Sequence, residues 1–115
     1  MKDTIFTWKV TYYSTKKTEV GEDEVYEMHD IKEMKDINIS IPDMVNEYLE
    51  RGDADKDFYV FVDKFDIPVA NEMDIIWFPT LENLYQVVSV EDAGPDWVIK
   101  INRYQVKRFL NWEMN

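Results

Sequence analysis

The chain has 115 residues, of which 45% are hydrophobic and 15% aromatic, a length that suits one domain and an aromatic content that excludes a disordered chain. Its 13 basic and 24 acidic side chains give a net charge of −11, which phosphate backbones repel, so sequence-specific nucleic-acid binding is not expected. The absence of cysteine excludes disulfides, thiolate metal sites and a cysteine nucleophile, and fits a reducing compartment.

Taken in order, residues 4–13 alternate. Phe6, Trp8, Val10 and Tyr12 fall on one face and Thr7, Lys9 and Thr11 on the other, the pattern of a half-buried strand. Residues 14–24, with Gly21 and the acidic run Glu22-Asp23-Glu24, read as a loop; residues 25–34 give no clear period. Ile37, Ile39 and Ile41 alternate with Asn38 and Ser40 as a further strand.

The spacing predicts a helix over 42–52, with Pro42 in the first turn, Gly52 as the C-terminal cap, and a stripe of Met44, Val45, Tyr48 and Leu49. Residues 57–66 read as a strand apolar on both faces, Phe58, Val60 and Val62 against Tyr59, Phe61 and Phe65, broken by Ile67-Pro68 and Asn71. Residues 73–78 form the next strand, ended by Pro79. A turn at 81–83 returns the chain through 84–90 as a hairpin partner. A second turn at 92–96 leads to a last strand, in which Trp97, Ile99 and Ile101 share a face.

The fold class expected is therefore mainly β with one short helix, six or seven strands in a small β-barrel or sandwich with a C-terminal strand meander. Residues 1–107 make a single β-rich domain, and residues 108–115 a C-terminal tail suited to docking. No apolar stretch follows Met1-Lys2-Asp3, and the longest apolar run, Phe58 to Val62, is far short of a membrane span, so synthesis in the cytoplasm without membrane contact is expected.

The residues do not assemble into a catalytic or metal pattern. Asp53, Asp55 and Asp57 open like a calcium loop, but Phe58 stands where the sharp turn needs glycine and Lys64 where a bidentate glutamate belongs, so the stretch reads as a polar connector. His29, the single histidine, has no nucleophile motif beside it and reads as a surface or edge residue. Gly21, Gly52 and Gly94 are too scattered to cradle a phosphate. No cofactor, metal or enzymatic activity is expected. The aromatics Trp8, Trp77, Trp97, Tyr12, Tyr13, Tyr85 and Tyr104 mostly take strand positions, as core residues do. Phe109, Leu110 and Trp112 sit in the tail, where exposed aromatics make good interface anchors.

The segment Asp74-Ile75-Ile76-Trp77-Phe78-Pro79, followed by Leu84-Tyr85-Gln86-Val87, Val90-Glu91 and Pro95-Asp96-Trp97, resembles a stretch in the neck proteins of contractile-tailed phages of the T-even type. Asp74, Phe78, Pro79, Leu84, Val90, Glu91 and Pro95 match, with like-for-like exchanges at Trp77, Tyr85 and Val87. Gln86 stands where an acid is usual and Asp96 where an aromatic is usual. The rest of the chain is loosely similar to small head–tail connector, or stopper, proteins of tailed phages.

What the resemblance implies is a β-rich core, no enzyme activity, and a ring held in the virion neck between portal and tail. Its partners would be portal, adaptor or tail-completion proteins and copies of itself. The interface candidates are the hairpin tip, Thr80, Leu81, Glu82 and Asn83, and the tail, Arg108, Phe109, Leu110 and Trp112. Two other readings stand beside it. One is a small acidic phage-encoded inhibitor that mimics DNA and binds a host protein, which requires acids along one continuous face. The other is a hydrolase using a carboxylate pair, which requires a concave pocket.

Overall fold

A computed structural model describes residues 5–18, 28–51 and 56–103. In it six strands and one helix follow one another as β1 (Ile5–Thr18), β2 (Met28–Pro42), α1 (Asp43–Arg51), β3 (Phe58–Asp63), β4 (Ile75–Phe78), β5 (Asn83–Ala93) and β6 (Asp96–Arg103). The strands close into an antiparallel barrel in the order β1-β2-β3-β6-β5-β4. Of the two architectures expected, the chain adopts the barrel. The meander β4-β5-β6 is part of its wall.

Alternation decides which side chains fill the interior. Val10 and Tyr12 of β1, Ile37, Ile39 and Ile41 of β2, Phe58, Val60 and Val62 of β3, and Ile99 and Ile101 of β6 turn inward and are buried. Aromatic rings fill the space between them edge to face: Phe78 lies 5.1 Å from Tyr85, and Phe58 6.2 Å from Tyr85. On β5 the alternation would carry Ser89 inward after Tyr85 and Val87. A bulge prevents this: the register passes from Val87↔Ile101 to Ser89↔Lys100, so Val88 is the extra residue and Val90 packs on the core instead.

Several strand boundaries differ from those expected. Residues 14–18 continue β1 instead of entering a loop, because β2 begins at Met28 and supplies them with backbone partners, Thr18 opposite Met28. Pro42 ends β2, opposite Ile5, and the helix starts one residue later. Gly52 and the acidic positions 22–24 lie outside the described residues, as do positions 53–55. Phe65 is not part of a two-faced strand. β3 ends at Asp63, the chain turns, and Phe65 is 89% exposed while Tyr59 faces outward.

The helix closes one end of the barrel. Leu49 is fully buried, Val45 and Tyr48 pack on the core, and Tyr48 stacks on Phe58 at 6.3 Å. Met44, expected in that stripe, is 73% exposed; Asn46 is buried in its stead. A polar residue is accommodated there because the Trp8 indole N–H donates to Asn46 Oδ1 at 2.6 Å and the Asn46 amide donates to Glu50.

At the opposite end the β5–β6 hairpin turns through Gly94 and Pro95, between the paired Ala93 and Asp96. Gly94 has φ +69°, and proline cannot take positive φ, so positive φ falls on the first turn residue alone, the order of a type II′ turn. A Cβ at Gly94 would meet nothing within 4 Å, so the only cost of a side chain is backbone strain. Gly94→Ala is therefore expected to destabilise the fold by about 1 kcal/mol or more, the cost of holding an L side chain at the positive φ that a type II′ turn assigns to glycine. Urea unfolding with an unchanged m-value checks this.

Candidate functional site

The segment that carries the phage-neck resemblance is the β4-β5-β6 wall with the turn that enters it. Its first matched residue, Asp74, is fully buried at the base of β4. Three donors converge on its carboxylate. The Tyr12 hydroxyl donates to Oδ2 at 2.6 Å, the Asn71 backbone N–H to Oδ2 at 2.8 Å, and the Thr15 backbone N–H to Oδ1 at 3.1 Å. The backbone around it is bound as well. Val87 N–H donates to the Asp74 carbonyl at 2.8 Å, Met73 N–H to the Val87 carbonyl at 2.9 Å, and the Thr15 hydroxyl to the Met73 carbonyl at 2.8 Å. Met73 takes a positive φ of 81° to make this turn. A buried carboxylate is tolerable only when its lone pairs are met in this way, so Asp74 acts as a fastener between β1, the β3–β4 loop and β5.

The other matched residues are also architectural. Phe78 is fully buried in the core, and Leu84 is buried with Ile75 in a satellite cluster that Tyr13, Ile31 and Trp77 cover. Pro79 opens the β4–β5 turn and is exposed. Leu81 N–H donates to the Phe78 carbonyl and Glu82 N–H to the Pro79 carbonyl, both at 3.2 Å. Within this tip Thr80 and Glu82 are exposed, Glu82 at φ 54°, while Asn83 is half-buried opposite Phe78. Leu81 folds back onto the core, so of the four tip candidates it is the one least available for outside contact.

Arg108, Phe109, Leu110 and Trp112 lie outside the described residues. The last described residue of β6, Arg103, pairs with Tyr85, two positions from Asn83, at the same end of the barrel as the tip. His29 lies on β2 opposite Lys17, with its side chain outside the described part.

Concave sites mark the wall, and two are described by their lining. The larger, about 520 Å³, is lined by Lys9, Thr11, Asp36, Asn38 and Pro79, and the Thr11 hydroxyl donates to Asp36 within it at 2.8 Å. The second, about 350 Å³, lies between β2 and the β3–β4 loop. Among the described residues no group of three or more His, Asp or Glu side chains is placed to hold a metal ion, and no helix is long and apolar enough to cross a membrane. The acidic residue Asp57, part of the calcium-like run, accepts from the Asn102 amide at 2.6 Å. No family model, no curated protein and no solved structure matches the chain.

Sequence reasoning matched Asp74 to a pattern but missed its burial. The signal was available: a lone acid directly before the apolar run Ile75 to Phe78 is a charge that the next strand would carry inside. It equally missed the second concave site, which rests on Met34, Pro68 and Val69, far apart in sequence.

Loss of the carboxylate in Asp74→Ala removes the acceptor of three donors, two of them buried, and is expected to cost roughly 3 kcal/mol or more, against about 1–2 kcal/mol for Tyr12→Phe, by chemical denaturation. The phenol also makes stability depend on pH. Burial first, and then the adjacent Asp74 carboxylate, push the Tyr12 phenol far above its ordinary value of 10.0. A group raised in the folded state stabilises fully below its unfolded value, and that stability is lost as pH rises beyond it. Unfolding free energy is thus expected to hold to about pH 10 and then fall, more gently in Tyr12→Phe. Some slope remains in that variant, because burial and Asp36 raise Tyr13 in the same direction.

Proposed function

We propose that this chain is a structural component of a phage head–tail connector, working through contacts with portal, adaptor or tail-completion proteins and with its own copies rather than through catalysis. The observation that carries the reading is that the residues shared with the neck-protein pattern build the wall of a closed barrel: Asp74 fastens it, Phe78 fills it, and Leu84 seals its outer face. A closed barrel has few free edges, as suits a rigid ring segment.

The ribbon formed by β1 and β2 supports it further. The last residue of β1 that pairs with β4 is Tyr13; among the described residues the strand pairing of Thr15 to Thr18 is with β2. Four residues of two-stranded ribbon extend roughly 13 Å, and such a ribbon is marginal alone. A neighbouring subunit would complete it. A negative subunit also suits a channel through which DNA must slide without sticking.

The inhibitor reading has less support. It requires an unbroken acidic face, whereas basic side chains are interspersed among the acids. Lys64 bridges Asp92 at 2.5 Å, which with the Gly94 N–H holds that carboxyl below its ordinary range, and Lys35 binds the carbonyl of Asp66.

Electron microscopy with mass spectrometry of the source virions is expected to find the chain at the neck in a fixed, symmetric copy number; its absence from particles would refute the connector reading. Removing residues 108–115 is expected to weaken ring assembly on the partner platform while leaving a folded monomer. Unchanged assembly would discard the tail as a docking arm.

A further inference from the structure

The barrel is not uniformly sealed. β2 and β3 pair at one position among the described residues, Ser40 opposite Phe61. Continuing that antiparallel register brings Lys35 opposite Asp66, and Glu33 and Met34 opposite Pro68 and Ile67. No ladder forms there. The chain turns away after Asp63, with the N–H groups of Asp66 and Ile67 both bound to the Asp63 carbonyl, and Pro68 has no N–H to offer β2. In place of backbone bonds, the Lys35 ammonium reaches across to the Asp66 carbonyl at 2.7 Å. The result is the groove of about 350 Å³ lined by Glu33, Met34, Asp66, Ile67, Pro68 and Val69.

We infer that this seam is a docking site for an extended, lysine- or arginine-bearing segment of a partner protein, which adds to β2 as a further strand. Three observations favour that occupant. Every second residue of β2 turns its backbone N–H and C=O away from β1, and over 33–38 the described residues supply no strand to meet them. Two apolar side chains at the seam are open to solvent, Met34 and Val69 each at 65% exposure, and offer a bed for the alternate side chains of an added strand. The lining carries the carboxylates of Glu33 and Asp66 against a single ammonium, Lys35, which is already bound, so the groove complements a basic segment. A second copy of this chain, with 24 acidic against 13 basic side chains, complements this acidic lining less well than a basic segment does, whatever contacts copies make elsewhere. The inference does not depend on the connector reading, since any partner with such a segment would fit.

The test uses the full chain and hydrogen exchange resolved by residue. The probe is an acetylated, amidated peptide of alternating lysine and valine, and its control has glutamate in place of lysine. The lysine peptide is expected to slow exchange of amides in residues 33–38 by about fivefold or more at millimolar concentration, and the glutamate peptide to leave them unchanged. Met34→Lys, at an exposed position that leaves the fold intact, is expected to weaken the lysine peptide about tenfold. Equal protection by both peptides, protection elsewhere on the barrel, or none at all would overturn the assignment. So would protection that appears without peptide as protein concentration rises, which would give the seam to a second copy. Virion imaging that fails to find the chain would leave this result standing, so the two proposals fail separately.

Discussion

One buried carboxylate holds the barrel together at its open end. Asp74 accepts from Tyr12, Thr15 and Asn71, which belong to β1 and to the loop that follows β3, while its own carbonyl accepts from Val87 on β5. Barrel closure between β1 and β4 needs this fastener, because the ladder there is short, running only from Thr11 to Tyr13. An unmet carboxylate inside the barrel would be intolerable, so the geometry of three separate segments is specified by the need to satisfy it. The strained φ of Met73 is the local cost of aiming that side chain inward.

The same end of the molecule contains the features that set it apart from a plain closed barrel. Thr15, anchored on Asp74 and Met73, is where β1 passes from the barrel wall into the two-stranded ribbon, just past a bulge that leaves Lys32 as the extra residue of β2. The β5–β6 hairpin is tied to the end of β3: Lys64 N–H donates to the Pro95 carbonyl at 3.0 Å, and the Lys64 ammonium lies 4.6 Å over the Trp97 ring. The Trp97 indole in turn donates to the Ile67 carbonyl at 2.8 Å. The β3–β4 loop is thus held in place on the β6 side and open on the β2 side, which is why a groove exists there instead of a collapsed seam.

Charge and architecture are largely separable in this chain. The interior carries one acid, and the remaining acids of the described barrel are half-buried or exposed. Basic side chains repeatedly lie over aromatic faces, Lys56 over Tyr48 at 4.1 Å and Lys100 over Tyr59 at 5.4 Å, where they shield outward-facing rings from water. The net surface is left acidic, a property that governs the choice of partner more than the fold.

Alternation alone determined most of the strands and their buried faces. Val10 and Tyr12, Ile37, Ile39 and Ile41, and Ile99 with Ile101 are inward residues that a period of two identifies without any partner, whereas in residues 57–66, apolar on both faces, only barrel closure turned Phe58, Val60 and Val62 inward; the Gly94-Pro95 turn declares its hairpin through local backbone chemistry. The helix was legible in its position, although Pro42, expected in its first turn, ends β2 instead, and Gly52, expected as its cap, lies outside the described residues. Polar stretches were not: residues 14–18 and 28–34 become strand only because each supplies the other's backbone partners, which no local period records. The resemblance at residues 74–97 pointed to Asp74, yet only the tertiary structure placed Tyr12 and Thr15, 62 and 59 positions away, against its carboxylate. Likewise Pro68 announced an end to pairing, but which strand it would leave without a neighbour was decided by the closure of the barrel, because an unpaired edge is a property of two segments and not of one.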